Sequence, residues 1–327
     1  MTDFSPILIT GAGGEIGSVS RGIAHRLLEQ GYPVRAFVRS DDERAEALRE
    51  AGAEVFVGDL LNIADVASAL KGCKRIFFTM SLSPYYLDAN LVMIAAARQA
   101  ENIEVLVNIS DIEQSYMTYE HMSADRKHRL QWLGGLADQW SPQQRAHWLA
   151  EQALNWSDLP AVHVRPTIFV ENPLLTWFPL ENMYKKGELC LPFGSACISP
   201  IAAKDVADVC ANILISPKAH IGKSYALTGP ESLSMNQIAA EFSRVLERKV
   251  AYVSLSIDHS DNMIDTILAK RSVHTAEHLK VLTRLIAGGR YEVVTDVLEK
   301  LLGRMPTSFG EAMAANSTVN KFIDDKK

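Results

Sequence analysis

Short, nearly unbroken apolar runs alternate with amphipathic segments through the first half of the chain, and this alternation restricts the fold more than any other feature. The runs are PILIT (6–10), PVRAFV (33–38), EVFVGD (54–59), RIFFTM (75–80), VLVNIS (105–110) and AVHVRP (161–166). Helical patterning fills the intervals over 15–30, 41–51, 62–71, 86–101 and 143–156. Asn62 stands where it can cap the third of these, and Asp41, Asp42 and Glu43 put negative charge at the head of the second. Such a pattern predicts an α/β fold, a doubly wound parallel sheet with right-handed crossovers and helices on both faces. Continuous rather than alternating apolar runs are what strands buried on both sides require.

The second half is less regular. Residues 171–216 mix aromatics, prolines and loops before a helix begins near Ala202. A strand, a turn at Gly229-Pro230 and a helix capped by Ser234 follow, and 258–327 reads as polar and helical. We place a dinucleotide-binding domain at 1–170, with 197–228 returning to it. A smaller, mostly helical region then comprises 171–196 and 229–327. The interval 111–145 is long for a connection inside a compact domain, and its aromatic, charged composition suits a lid, a partner surface or a surface elaboration.

Several functional classes are disfavoured. A net charge of −6 argues against a sequence-independent nucleic-acid binder. Apolar runs fall short of the roughly 20 residues a membrane span needs, and the start MTDFSPILIT lacks the pattern of a secretory signal. Cys73, Cys190, Cys197 and Cys210 form no CxxC pair, so no metal is expected and the thiols read as free in a reducing, cytoplasmic setting.

Gly11, Gly14 and Gly17 follow the first run directly and precede a helix. The first glycine allows a tight turn, the second lets backbone approach a pyrophosphate, and the third lets helix and strand pack closely. The helix start then offers unsatisfied N–H groups to the phosphates. Glu15 and Ile16 complete the loop that would line them. At the end of the second run Arg39 and Ser40 stand where an acidic residue would bind the ribose hydroxyls of NAD, with Arg44 a turn further on. Arginine forms charge-assisted pairs with phosphate, so NADP(H) is the expected cofactor. Asp41 and Asp42 close behind keep NAD(H) as the alternative. Asp59 and Leu60 end the third run, where the adenine would lie, and Thr79, Met80 and Ser81 follow the fourth at the ligand-binding edge of such sheets.

The stretches GAGGEIG, VRAFVR, VFVGDL and above all HWLAEQALNWSDLPAVHVRPTIFVEN resemble the NmrA-like branch of the atypical short-chain dehydrogenase/reductase superfamily, from Ile7 to about Thr228. The resemblance implies a Rossmann-type domain, a smaller carboxyl-terminal region and nicotinamide cofactor binding. It implies a divided precedent for function: reductases of quinones, azo dyes and other conjugated acceptors, and inactive sensors of cofactor redox state that report to a protein partner. It also places Pro166 and Thr167 beside the nicotinamide, and Phe169 and Asn172 at the substrate pocket.

Short-chain dehydrogenases typically use a tyrosine acid with a lysine four residues on, and no tyrosine of this chain has one. The remaining proton-donor candidates are Ser110, His147 and Tyr85. Ser110 matches the family's serine and His147 falls near the missing lysine. Each has a plainer alternative: a strand-end cap for Ser110, a helix pair with Glu151 for His147, and simple packing for Tyr85 and Tyr86. Arg165 could equally partner a buried carboxylate. Tyr86, Trp177 and Phe178 join Phe169 and Asn172 as candidate substrate contacts, since flat acceptors stack on such side chains. The reading is an NADP(H)-dependent reductase of a small conjugated acceptor such as a quinone or enone. The alternative is a non-catalytic NADP(H) redox sensor. A small-molecule acceptor is the expected partner, with neither nucleic acid nor membrane, and a homodimer or a regulatory protein partner is left open.

Overall fold

The computed structural model describes residues 5–14, 19–100, 102–269 and 272–324. The chain divides into two compact units. Unit 1 comprises residues up to Asp111, with Arg145–Arg165 and Val206–Tyr225; unit 2 comprises Ile112–Gln144, Pro166–Asp205 and the residues from Ala226 onward.

In chain order the elements begin, all within unit 1, with β1 (Ile7–Thr10), α1 (Val19–Glu29), β2 (Val34–Val38), α2 (Glu43–Glu50), β3 (Glu54–Val57), α3 (Ile63–Leu70), β4 (Arg75–Phe78), α4 (Tyr86–Gln99) and β5 (Val105–Ile109). Two short helices, α5 (Tyr119–Ser123) and α6 (Arg126–Trp132), precede α7 (Pro142–Trp156) and β6 (Ala161–Pro166). Then come α8 (Trp177–Lys186), β7 (Glu188–Leu191), β8 (Cys197–Ile198), α9 (Ala203–Ile215) and β9 (Ser224–Leu227). The main sheet runs β3-β2-β1-β4-β5-β6-β9. Its registers are parallel, with Ile7 beside both Val34 and Arg75. The order reverses between β1 and β4, the crevice at which such sheets take ligands.

The expected patterning explains the elements. β1 and β5 are buried along their whole length. β3 departs from the expectation of two-sided burial: it is the edge strand, with Glu54 and Val57 exposed. Asn62 caps α3 by accepting from the Ala64 N–H, and Asp42 caps α2 by accepting from Arg44 and Ala45. Leu8, Phe78, Met93, Leu106 and Leu154 lie in one apolar cluster between the sheet and its covering helices. Gly22 of α1 faces α9 so closely that a Cβ would stand 2.9 Å from that of Ala207.

Unit 2 contains two minor sheets. One pairs β8 with β10 (Leu233–Ser234) antiparallel, and the other pairs β7 with β11 (Ala251–Ser254) in parallel. Ser234 caps the following helix through a full capping box with Gln237. The interval 111–145 is no open loop, since it carries α5, α6 and a turn of 3-10 helix. Glu113, fully buried, accepts from Trp140 Nε1 at 3.0 Å and from both arms of Arg290 at 3.1 and 3.2 Å. The Arg290 guanidinium lies over the rings of Tyr116 and Trp132 as well.

A second buried set carries a pH signature. Ser141 Oγ meets His278 Nδ1 at 2.8 Å, both residues being buried. Burial, with His274 adding repulsion, holds the His278 imidazolium down to about 4. The unfolded chain takes up this proton near its ordinary value of about 6.5, so the neutral ring's contribution is whole above that pH. It is lost as pH falls from about 6.5 to about 4, by at most about 3 kcal/mol. Glu171, pushed up to about 7 by burial, has the opposite sign and weakens the fold as pH rises through its range. His278→Gln should therefore flatten the acid side of a plot of melting temperature against pH relative to wild type. Parallel curves for the two proteins would refute it.

Candidate functional site

The turn after β1 has the form a pyrophosphate cradle needs. Gly11 sits at φ +73°, where side chains are strained, and an added Cβ would stand 2.7 Å from Thr79 Cγ2. Gly14 N–H donates to Gly11 O at 3.0 Å, closing the turn. Thr10 Oγ1 donates to Thr79 O at 2.7 Å and accepts from Thr79 N–H at 2.9 Å, tying the turn to the end of β4. Arg21 donates to Gly14 O at 2.8 Å. Glu15, Ile16 and Gly17 lie outside the described residues. Gly11→Ala imposes about 1–2 kcal/mol of backbone strain in addition to the Thr79 clash. It should weaken cofactor binding at least about tenfold by titration; unchanged affinity would mean the turn is not the cradle.

At the adenosine end the acidic residues are occupied. Asp42 caps α2 and receives the Arg44 guanidinium, whose hydrogen bond is the main cause holding its carboxyl down to about 2. Asp41 pairs with Arg49 at 2.6 Å. Arg39 is exposed and has no hydrogen-bond or ion-pair partner among the described residues. Asp59, expected near the adenine, accepts from Leu61 N–H while its own N–H donates to Asp65. Leu60 packs partly buried against the core. Thr79 and Met80 are half-buried and Ser81 exposed at the end of β4. A positive-φ turn with no room for a side chain, and an uncommitted arginine past β2, fit a phosphorylated dinucleotide.

Beyond β5 the side chains of unit 1 converge on a buried ion pair. Ser110, half-buried, donates to Glu151 Oε1 at 2.6 Å. Glu151 is 1 % exposed, and Arg165 forks onto its two oxygens at 2.5 and 3.2 Å. Arg165 thus has the buried-carboxylate partner that the sequence allowed for it. His147 rests edge-on against Tyr86, ring centroids 4.5 Å apart.

Tyr85 is exposed at the head of α4. Tyr86 is buried, with its hydroxyl donating to Ile109 O at 3.2 Å. Burial, reinforced by the Glu151 charge, pushes its phenol well above the ordinary range. Asn90 on α4 and Asn108 on β5 are also buried, and the sequence reading singled out neither. Neither amide atom of Asn90 has a hydrogen-bond partner among the described residues. The signal available was an asparagine amid the Ala, Leu and Met of α4.

The remaining candidates belong to unit 2. Pro166 ends β6, and Thr167 is buried with its hydroxyl donating to Ser199 O at 2.6 Å. Phe169 is half-buried and bridges to Ile201. Asn172 accepts from Leu174 N–H through its side chain, shaping the turn into α8, where Trp177 is the first residue and Phe178 is half-buried. Between them Glu171 accepts from Ala203 N–H at the head of α9.

A family model described as NAD(P)H-binding matches residues 11–217, a span that includes the cradle, the β2 arginine and the Ser110–Glu151–Arg165 set. The chain belongs to this NAD(P)H-binding family. As a family member it is 28 % identical over 313 residues to an NAD(P)H azoreductase of Xenophilus azovorans, covering 95 % of this chain and 98 % of that protein. It is 30 % identical over 312 residues to a (4-alkanoyl-5-oxo-2,5-dihydrofuran-3-yl)methyl phosphate reductase of Streptomyces griseus, covering 95 % and 98 %. Its fold is similar to that of NmrA, a negative transcriptional regulator solved in complex with NADP. The TM-score is 0.76 at 21 % identity, covering 99 % of this chain and 98 % of that one. The fold is thus the one that the NmrA-like resemblance implied, and a nicotinamide dinucleotide is this family member's cofactor. Among the described residues no helix is long and apolar enough to cross a membrane.

Proposed function

We propose that this chain is an NADP(H)-dependent reductase that reduces a small conjugated acceptor, such as a quinone or an enone. The observation that carries this reading is the near full-length likeness to two reductases. Arg39 supports the phosphorylated cofactor, because Asp41 and Asp42, which could have favoured the other form, are each engaged with an arginine of α2. The bound reduced nicotinamide supplies a hydride, and the rest falls to the chain. The glycine turn would hold the phosphates, and the carboxyl ends of β4 and β5 would face the ring half of the cofactor. Acid assistance is small in demand, because a conjugated acceptor spreads the negative charge it gains and takes its proton from water. Proximity and orientation then provide most of the acceleration.

The test is single-turnover oxidation of bound NADPH, followed by absorbance, against quinones, azo dyes, enones and aldehydes. Rapid oxidation by one conjugated class supports the reductase. Tight NADPH binding with no oxidation by any acceptor refutes it and favours the sensor, whose precedent is the NmrA fold.

A further inference from the structure

Ser110 stands at the carboxyl end of β5 with its hydroxyl proton already assigned. The Oγ–Oε1 distance is 2.6 Å, and the receiving carboxylate is buried and forked by Arg165. An ionised carboxylate accepts hydrogen bonds and cannot donate them. The Ser110 hydroxyl must therefore give its single proton to Glu151, which leaves two lone pairs and no proton for anything approaching from the ligand side. No other hydrogen bond engages Ser110 Oγ among the described residues. The residue is half-buried, so a ligand group can reach it. A hydroxyl with this polarity is not poised as an acid, the role expected of it from sequence.

We propose that the Glu151–Arg165 pair fixes Ser110 as an obligate hydrogen-bond acceptor for an N–H or O–H donor on the nicotinamide half of the cofactor. The assignment rests on the cofactor reading above and adds to it the direction of one hydrogen bond. The sheet order places the end of β5 on the side of the reversal away from the adenosine-binding strands β2 and β3. Two donors exist in that half: the carboxamide N–H₂ and the ribose hydroxyls. Ser110 is thus a positioning residue. It holds the nicotinamide half and transfers no proton.

The experiment is calorimetric titration of the full chain and of Ser110→Ala with NADP+ and with its 3-acetylpyridine analogue, in which a methyl group replaces the amide nitrogen. If the carboxamide is the donor, Ser110→Ala weakens NADP+ about fivefold, the equivalent of about 1 kcal/mol. The analogue then binds both proteins alike. If a ribose hydroxyl is the donor, Ser110→Ala weakens both ligands by that factor. Ser110→Thr, which keeps the hydroxyl, should restore the wild-type pattern in either case. Unchanged affinity of Ser110→Ala for both ligands overturns the assignment. So does turnover lost in Ser110→Ala at undiminished affinity, which would make the hydroxyl an acid. A wild-type chain that binds neither ligand would refute the cofactor reading itself, a failure distinct from the other two.

Discussion

Arg165→Met should cost unit 1 about 3–5 kcal/mol of stability, the range found when one partner of a buried ion pair is removed. The reason is the state in which it leaves Glu151. That side chain is 1 % exposed, and without the guanidinium its charge would stay buried while losing the ion pair that the fork supplies. Arg165 itself is 18 % exposed at the side chain, so methionine fills much of the space and the loss is electrostatic rather than a cavity. For a unit of this size the melting temperature should fall by on the order of ten degrees. The double replacement Glu151→Met with Arg165→Met removes both charges and should recover most of the loss, since well-packed apolar pairs often match buried ion pairs. A single variant melting within a degree of wild type, or a double variant worse than the single, would contradict the geometry. The same pair sets the Ser110 proton, so stability and cofactor positioning share one pair of side chains.

That pair also marks where the sequence stops being readable. Local physics made the frame legible. Apolar runs gave the strands, Asn62 and Ser234 announced helix starts through short side chains that accept from the backbone, and the glycines after β1 signalled a turn with no room for Cβ. Long-range pairing was not legible. Glu151 lies four residues after His147 on α7, which suggested a helical pair, and that local spacing gave no sign of the partners it takes from the neighbouring strand ends, Ser110 after β5 and Arg165 of β6. Only the register that sets Ile109 beside Val164 brings Ser110 and Arg165 to one place. Tyr86 illustrates the same limit. Next to an exposed Tyr85 it stood as a candidate substrate contact with simple packing as the plainer alternative, and one step along α4 turns its ring into the core toward Asn108 and His147. The interval 111–145 looked like a loop because α5 and α6 are short and Arg290, which binds the buried Glu113 and lies over Tyr116 and Trp132, comes far along the chain.

Arg39→Ala should weaken NADPH binding about ten- to a hundredfold and leave NADH binding unchanged, whereas Arg44→Ala should change either by less than about threefold. The two arginines lie near the same strand end, and composition alone gives them equal standing. Their surroundings do not. Arg44 is held by Asp42, with Nη2 at 2.5 Å and Nε at 3.1 Å from one carboxylate oxygen. Presenting it to a phosphate would break that pair and loosen the cap of α2. Arg39 carries no such commitment among the described residues and stands exposed beyond Val38. A charge-assisted hydrogen bond to phosphate contributes about 1.5–3 kcal/mol, which sets the expected loss. Raising the salt concentration should narrow the gap between NADPH and NADH in wild type and leave Arg39→Ala nearly insensitive, since an exposed ion pair is screened. Equal losses for NADPH and NADH in Arg39→Ala would show that this arginine supports the fold of the strand end rather than a phosphate. A large loss in Arg44→Ala instead would mean that the Asp42 pair opens on binding, and the choice of cofactor would then rest on α2.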